Sequence, residues 1–158
     1  EEIRLPSGST VEIPKATPTF EAWQGEAVGD TYGGKQVLDF AGKPAFAELV
    51  ILGVFQDAGW NGVWVDTYRR KYRTGYWGPG QDVAVPDGKQ ALLERIYERA
   101  GVRSGCWDVF CWQGDVRLFV EAKQQEKDRI RDSQRAWLEA AMSVGLPVDS
   151  FLLAEWSV

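Results

Sequence analysis

Two carboxylates and one lysine stand close together in the C-terminal third of the chain. Asp108 lies in one apolar segment, and Glu121 and Lys123 close the next apolar segment, 13 and 15 positions later. Carboxylate oxygens are the ligands that Mg²⁺ prefers, and a metal held by carboxylates activates water and polarises phosphate. A lysine ammonium beside such a site supplies a fixed positive charge. The residue types and their spacing therefore indicate carboxylate, lysine and hard-metal chemistry.

The composition excludes several other classes of enzyme. The chain of 158 residues contains no histidine. This excludes Ser-His-Asp hydrolases, Cys-His hydrolases and zinc hydrolases with histidine ligands. Its two cysteines, Cys106 and Cys111, can form neither a small disulfide scaffold nor a four-ligand zinc site. No run of about 18 apolar residues and no signal-peptide pattern occurs. We expect a single globular domain in the cytoplasm, without a membrane span.

Charge is distributed unevenly along the chain. The net charge is −5, but residues 1–40 alone hold seven acids against three bases. A basic cluster follows in the middle of the chain, with two tyrosines interleaved: Tyr68, Arg69, Arg70, Lys71, Tyr72 and Arg73. It has two interpretations, a solvated strand end or a DNA-contacting edge that binds phosphates while Tyr72 and the nearby Trp77 stack on unpaired bases.

The N-terminal third predicts an extension followed by a buried helix. Residues 1–40 are rich in Gly, Pro, Ser and Thr, which predicts short strands packed on the main domain and no recognisable chemistry. Pro44 is expected to open a helix that reaches Asp57. Glu48 is the only charge among residues 45–55. It either occupies a narrow exposed stripe or belongs to a site that pairs, hydrogen-bonds or coordinates it.

The remaining segments predict a mixed sheet with helices on both faces. Residues 62–68 are typical of a strand, and Asp87 is expected to cap a helix over residues 89–100. Residues 107–112 and 116–123 predict a hairpin in which Asp108 shares a face with Phe110, and Glu121 shares a face with Lys123. A helix over 130–144 places Gln134 within its apolar stripe, and 148–156 predicts a closing strand. The expected fold class is α/β with a mixed (α+β) sheet.

These segments resemble the core of the PD-(D/E)XK nuclease superfamily, most closely the virus-type replication-repair nuclease domain, VRR-NUC. The matching segments are Gly105-Cys-Trp-Asp108, Leu118-Phe-Val-Glu-Ala-Lys123, Asp132-Ser-Gln-Arg-Ala-Trp-Leu138 and the helix with Glu48. Trp107 is a departure, because the family commonly has proline there. The resemblance implies a restriction-endonuclease-like αβββαβ core over residues 41–158, with 89–100 as an inserted helix and 1–40 as an N-terminal extension.

The resemblance also implies a role for each site residue. Glu48, Asp108, Glu121 and the backbone carbonyl of Ala122 would hold Mg²⁺ or Mn²⁺. Lys123 would orient water or stabilise the transition state, and Gln134 would aim a hydrogen-bonding group at the site. Arg135 would meet phosphate, together with the basic cluster over residues 69–73. Asp66 and Asp82 are alternative ligands if the strand register differs from the expected one, whereas Asp115 is expected to be a solvated turn residue.

The implied function is a metal-dependent DNA endonuclease, acting on branched or flapped DNA in phage or bacterial replication and repair. One alternative is a restriction-type endonuclease of the same superfamily that reads sequence. Another is a catalytically silent DNA-binding or assembly module that keeps the fold. A homodimer is a further expectation, since many relatives cut two strands as dimers.

Overall fold

The structure, a computed structural model, describes residues 1–158 and contains three α-helices and eleven strands. The helices are α1 (Ala47–Asp57), α2 (Asp87–Ala100) and α3 (Asp132–Ser143). The strands are β1 (Glu2–Arg4), β2 (Thr10–Glu12), β3 (Lys15–Ala16), β4 (Glu21–Ala22), β5 (Leu38–Phe40), β6 (Lys43–Ala45), β7 (Asn61–Asp66), β8 (Lys71–Arg73), β9 (Val109–Gln113), β10 (Val116–Gln124) and β11 (Phe151–Trp156).

A six-stranded mixed sheet forms the centre of the molecule. Its strand order is β3-β11-β10-β9-β7-β8. The neighbours β10 and β11 are parallel, as are β11 and β3, while the other adjacent pairs are antiparallel. The predicted α/β class with a mixed sheet is therefore confirmed. None of the three helices is long and apolar enough to cross a membrane.

Helices cover both faces of this sheet because side chains alternate along its strands. On β9, Val109 and Cys111 point to the face covered by α1, while Phe110 points to the face covered by α2 and α3. Phe110 stacks on Phe119 of β10, with ring centroids 4.2 Å apart, and Trp137 of α3 packs against Phe119. The hairpin β9–β10 is thus fixed in register from both sides.

The first helix begins three residues later than the sequence predicts. Pro44 lies in β6, not at the start of the helix, and Phe46 is the residue before the first turn of α1. The reason is a hairpin between β5 and β6, whose two turn residues, Ala41 and Gly42, both have positive φ (51° and 80°). Such a turn matches the twist of antiparallel strands. Pairing with β5 therefore extends the strand through Pro44.

Other element boundaries also differ from the predicted ones. Asp87 is the first residue of α2 and makes no capping hydrogen bond, because Pro86 occupies the preceding cap position. The strand expected over 107–112 begins at Val109, and the strand expected over 148–156 begins at Phe151 after a short 3₁₀ turn at Val148–Ser150. Helix α3 lies inside its predicted range.

The N-terminal segment packs on the central sheet and contributes to the cores on both its faces. Strands β1 and β2 form a hairpin, and β3 adds to the edge of the central sheet beside β11. Ile3, Leu5 and Ile13 are buried in the core beneath α2 and α3, whereas Leu38 is buried in the core beneath α1.

Candidate active site

One cavity of about 300 Å³ gathers the five side chains that the sequence singles out as catalytic. Four separate parts of the fold meet at this cavity and supply these side chains. They are the first turn of α1, the first turn of α3, the residue before β9 and the second half of β10. The members are Glu48, Asp108, Glu121, Lys123 and Gln134, with Ala122 also in the wall.

The hairpin β9–β10 places Asp108 beside the Glu121–Lys123 segment. The last paired residues of the hairpin are Val109 and Val120, so the next position on each strand is a carboxylate. The backbone N–H of Ala122 donates to Oδ2 of Asp108 at 2.9 Å. This bond fixes the carboxylate against β10, so that the first predicted ligand is held rigidly next to the second.

A close approach between two backbones positions Asp108 relative to α3. Gly105 has φ +80°, and a Cβ atom there would lie 2.1 Å from the carbonyl oxygen of Ser133. Only glycine fits this contact. Trp107 is fully buried against Trp137 and Phe151. Aromatic packing therefore anchors this segment.

Gln134 ties the lysine to the buried glutamate. Its side-chain oxygen accepts from Nζ of Lys123 at 3.0 Å and from the backbone N–H of Arg131 at 2.9 Å. Its amide nitrogen donates to Oε1 of Glu121 at 2.5 Å. Lys123 also forms an ion pair with Oε1 of Glu121 at 2.8 Å. The helix-borne amide thus orients both charged side chains, as its place in the apolar stripe of α3 suggests.

The carboxylates of the cavity are electrostatically strained. Burial raises the pKa of the Asp108 carboxyl well above its usual range, and repulsion from Glu121 and Glu48 raises it further. Burial also raises the pKa of Glu121, against the opposing effect of Lys123. Oε2 of Glu121 is buried and has no hydrogen-bond partner. An unpaired buried carboxylate oxygen is costly, and either a proton shared with Asp108 or a bound cation would relieve that cost.

Glu48 has a partner that the sequence does not reveal. Its carboxylate accepts a short hydrogen bond from Nζ of Lys35, and the two side chains are 8% and 33% exposed. Burial lowers the pKa of Lys35, but the charge and hydrogen bond of Glu48 outweigh this effect and raise it. Residues 1–40, for which the sequence predicts no chemistry, therefore contribute a charged group to the cavity. Glu48 lies in a buried, paired site and not on an exposed stripe, which are the two alternatives that the sequence leaves open.

The donor set suits a hard divalent cation. Three carboxylates and a backbone carbonyl offer only oxygen, which is the ligand type of Mg²⁺ and Mn²⁺. The orphaned oxygen of Glu121 and the mutual repulsion around Asp108 point to the same conclusion. As the side chains stand, however, no three acidic groups lie close enough together to hold an ion. Glu48 is engaged by Lys35, and Glu121 by Lys123 and Gln134.

The predicted DNA-contacting residues fall into two groups. Arg69, Arg70 and Lys71 are exposed at the turn that joins β7 to β8. Arg73 is instead buried and forms ion pairs with Asp66 at 2.8 Å and Asp82 at 3.0 Å. Its assignment to a DNA-contacting edge is therefore corrected, because a buried and paired guanidinium is not free to bind phosphate. These ion pairs also occupy Asp66 and Asp82, which the sequence offers as alternative metal ligands.

The tyrosines of the basic cluster also differ from the expectation. Tyr72 is partly buried and packs against the core beneath α2, so its ring is not presented for stacking on a base. Tyr68 is 87% exposed at the tip of the β7–β8 turn. Arg135, on α3, is half-exposed and pairs with Asp132 at 2.8 Å. Among the aromatic residues of this cluster, Tyr68 is the accessible one.

Comparison with models of known families finds no match, and no curated protein is significantly similar to the chain. A functional conclusion must therefore rest on the geometry of the cavity and the chemistry of its residues.

Proposed function

We propose that the protein is a Mg²⁺- or Mn²⁺-dependent DNA endonuclease of the PD-(D/E)XK type, resembling the VRR-NUC domain. The observation that carries the proposal is the convergence of Glu48, Asp108, Glu121, Lys123 and Gln134 on one cavity from separate parts of the chain. The order α1, β7, β9, β10, α3, β11 supports a restriction-endonuclease-like αβββαβ core, with β8 and α2 inserted. A cytoplasmic location and a homodimer remain predictions.

The cavity residues divide the work of phosphodiester hydrolysis. Asp108, Glu121 and the Ala122 carbonyl would hold the metal, and Glu48 would join them when Lys35 releases it. The bound cation would supply a water of lowered pKa and positive charge for the scissile phosphate. Lys123 holds an ammonium group beside Glu121, where it can stabilise negative charge on the phosphate.

Gln134 acts as the positioning group for this chemistry. Its oxygen fixes the ammonium of Lys123, and its amide nitrogen fixes one oxygen of Glu121. The other oxygen of Glu121 stays free of hydrogen bonds and available as a ligand. Because α3 carries Gln134 in its first turn, the rigid helix sets the direction of both charged groups.

A second cavity, of about 350 Å³, continues from the first and supports nucleic acid as the substrate. The two cavities share Lys35, Glu48, Asp108 and Gln134 in their walls. Tyr32, Trp64 and Tyr68 line the second cavity, but Trp64 is buried and the guanidinium of Arg69 lies over the ring of Tyr32, so Tyr68 is the ring accessible for stacking. Bases stack on such rings, while cationic groups track the phosphates. Arg131 is a cation in the wall of this second cavity, whereas Arg70 and Lys71 line a different cavity beside α2, and Arg135 lies outside both.

The decisive experiment is a cleavage assay over plasmid, single-stranded, flapped and four-way DNA with Mg²⁺, Mn²⁺ or EDTA. We expect cleavage with either metal and none with EDTA, and preferred cleavage of flapped or branched substrates. Lys123→Met should abolish cleavage, since it removes the ammonium but keeps the length of the side chain. Lys127→Met is the matched control, because Lys127 is exposed four positions later. Absence of cleavage on every substrate, or full activity of Lys123→Met, contradicts the proposal.

The second candidate function is a catalytically silent DNA-binding or assembly module. The ion pair of Lys35 with Glu48 favours it, because this pair compensates one of the three carboxylates without any metal. Such a module would bind DNA equally in EDTA and in Mg²⁺ and would cleave none of the substrates. The same assay, read by electrophoretic mobility as well as by product formation, separates the two functions.

A further inference from the structure

Lys35 occupies an unusual position for a residue of an irregular segment. It follows a turn in which its backbone N–H donates to the carbonyl oxygen of Thr31 at 2.8 Å, and it precedes β5. Its side chain nevertheless lies in the walls of both cavities, and its ammonium contacts Glu48. An irregular connecting segment thus delivers a positive charge to the carboxylate cluster.

The surroundings of this ammonium stabilise a cation at this point. Nζ lies 5.7 Å from the ring centroid of Tyr32 and 5.9 Å from that of Trp64, within the range of cation–π attraction. The negative charges of Asp108 and Asp128 act on it in addition to Glu48. A divalent metal bound by Glu48 and Asp108 would experience the same attractions. Lys35 and the metal therefore compete for one carboxylate, since an ammonium in contact with Glu48 repels a second cation.

We propose that Lys35 is a tethered cation that occupies Glu48 in the metal-free protein and is displaced when a divalent metal binds. The proposal rests on the proposed function, because it concerns the metal site of that same reaction. It makes Lys35 a positioning residue: it keeps Glu48 in place and compensated without metal, and it sets the metal concentration at which the cavity fills.

The test is the affinity for Mn²⁺, measured by isothermal titration calorimetry and by the room-temperature electron paramagnetic resonance signal of free Mn²⁺. Lys35→Met removes the charge and keeps the length of the side chain. We expect it to tighten Mn²⁺ binding roughly tenfold, within the roughly 5- to 150-fold range typical of coupled sites. Lys35→Arg, which keeps the cation, should bind Mn²⁺ like the wild type. Lys43→Met, on the exposed part of β6, is the matched control and should leave the affinity unchanged.

A double-mutant cycle checks that the effect passes through Glu48. In a Glu48→Gln background, Lys35→Met should change the Mn²⁺ affinity much less than in the wild type, because the carboxylate that Lys35 contacts is gone and only its longer-range effect through Asp108 remains. If Lys35→Met does not fold, Lys35→Gln, which keeps a hydrogen-bond donor, takes its place in the cycle. Equal or weaker Mn²⁺ binding by the neutral variants overturns the inference. If the wild type still cleaves DNA with Mg²⁺, the proposed nuclease function stands even though the inference about Lys35 fails. If neither the wild type nor any variant binds Mn²⁺, the inference and the proposed function are both overturned.

Discussion

Replacing Asp108 with asparagine should stabilise the metal-free protein while it abolishes metal binding and cleavage. The asparagine side chain would keep an oxygen for the hydrogen bond from the N–H of Ala122, which Asp108 accepts at 2.9 Å. The substitution removes a charge whose ionised form is disfavoured by burial and by repulsion from Glu121 and Glu48. A residue that is needed for function would thus weaken the fold, as polar active-site groups commonly do.

The magnitude follows from the groups that surround this carboxylate. Like charges near a protein surface repel each other by about 2–4 kcal/mol at separations of about 4–8 Å. Against this, the hydrogen bond from Ala122 loses about 1 kcal/mol when its acceptor becomes neutral, and the attraction of Lys35 for Asp108 is lost. We expect a net stabilisation of about 1–2 kcal/mol, which corresponds to a rise in Tm of about 2–8 °C for a chain of this size.

The pH dependence gives the prediction a second, independent signature. Because the folded-state pKa of Asp108 is raised, the native wild type binds more protons than the unfolded chain between the two pKa values. Wild-type stability therefore falls as pH rises through this window, and the full penalty is present above the folded pKa. The advantage of Asp108→Asn should grow as the pH rises through this window and should vanish below about pH 4, near the unfolded pKa.

The assay is urea unfolding and differential scanning calorimetry in EDTA, at about pH 7.5 and at several lower pH values. Asp115→Asn is the matched control, because Asp115 lies exposed in the β9–β10 turn and should change the free energy of unfolding by less than about 0.5 kcal/mol. Mg²⁺ should raise the Tm of the wild type but not that of Asp108→Asn. An Asp108→Asn protein less stable than the wild type at neutral pH in EDTA would refute the electrostatic reasoning.

Three further predictions test other parts of the structure. Tyr68→Ala removes an exposed ring on which a base can stack, so it should weaken the binding of single-stranded DNA about tenfold, as measured by fluorescence anisotropy. Tyr68→Phe keeps the ring and should bind normally. Equal losses of affinity in both variants would contradict stacking. Arg73→Met should lower the free energy of unfolding in urea by about 3 kcal/mol, because the buried Asp66 loses its ionic partner and keeps only the hydrogen bonds from the Tyr32 hydroxyl and the Arg69 N–H. The exposed Arg70→Met should have little effect. Gly105→Ala should lower the Tm, because its Cβ would collide with the Ser133 carbonyl; an unchanged Tm would show that the two segments can separate.

The hairpin and the two C-terminal helices could be predicted because their signals are local. Alternation along residues 107–123 and the turn at 113–115 determine which side chains share a face, and this places Asp108 beside Glu121. The helical period of residues 130–144 places Gln134 toward the sheet. In each case a few neighbouring residues define the element, and the element alone directs the functional side chain.

Lys35 and Arg73 could not be predicted in the same way, because their roles depend on contacts between separate segments. Lys35 lies in irregular chain, where no periodicity indicates the direction of a side chain, and its partner Glu48 is 13 residues away. Arg73 belongs to a basic run that looks exposed in the sequence. Its burial follows from the pairing of β7 with β8, which brings it to Asp66, and from the additional ion pair with Asp82.

The charges of the cavity are less completely compensated than those of a structural ion-pair network. A structural network is expected to satisfy every buried oxygen, because an unsatisfied one costs about 1–3 kcal/mol. Here Lys35, Lys123 and Gln134 satisfy one oxygen of Glu48 and one of Glu121, yet Oε2 of Glu121 has no partner and Asp108 is repelled by both glutamates. One more cation in the cavity would relieve both defects at once. The incomplete neutralisation is consistent with the proposed divalent-metal site, in which Lys35 compensates only Glu48.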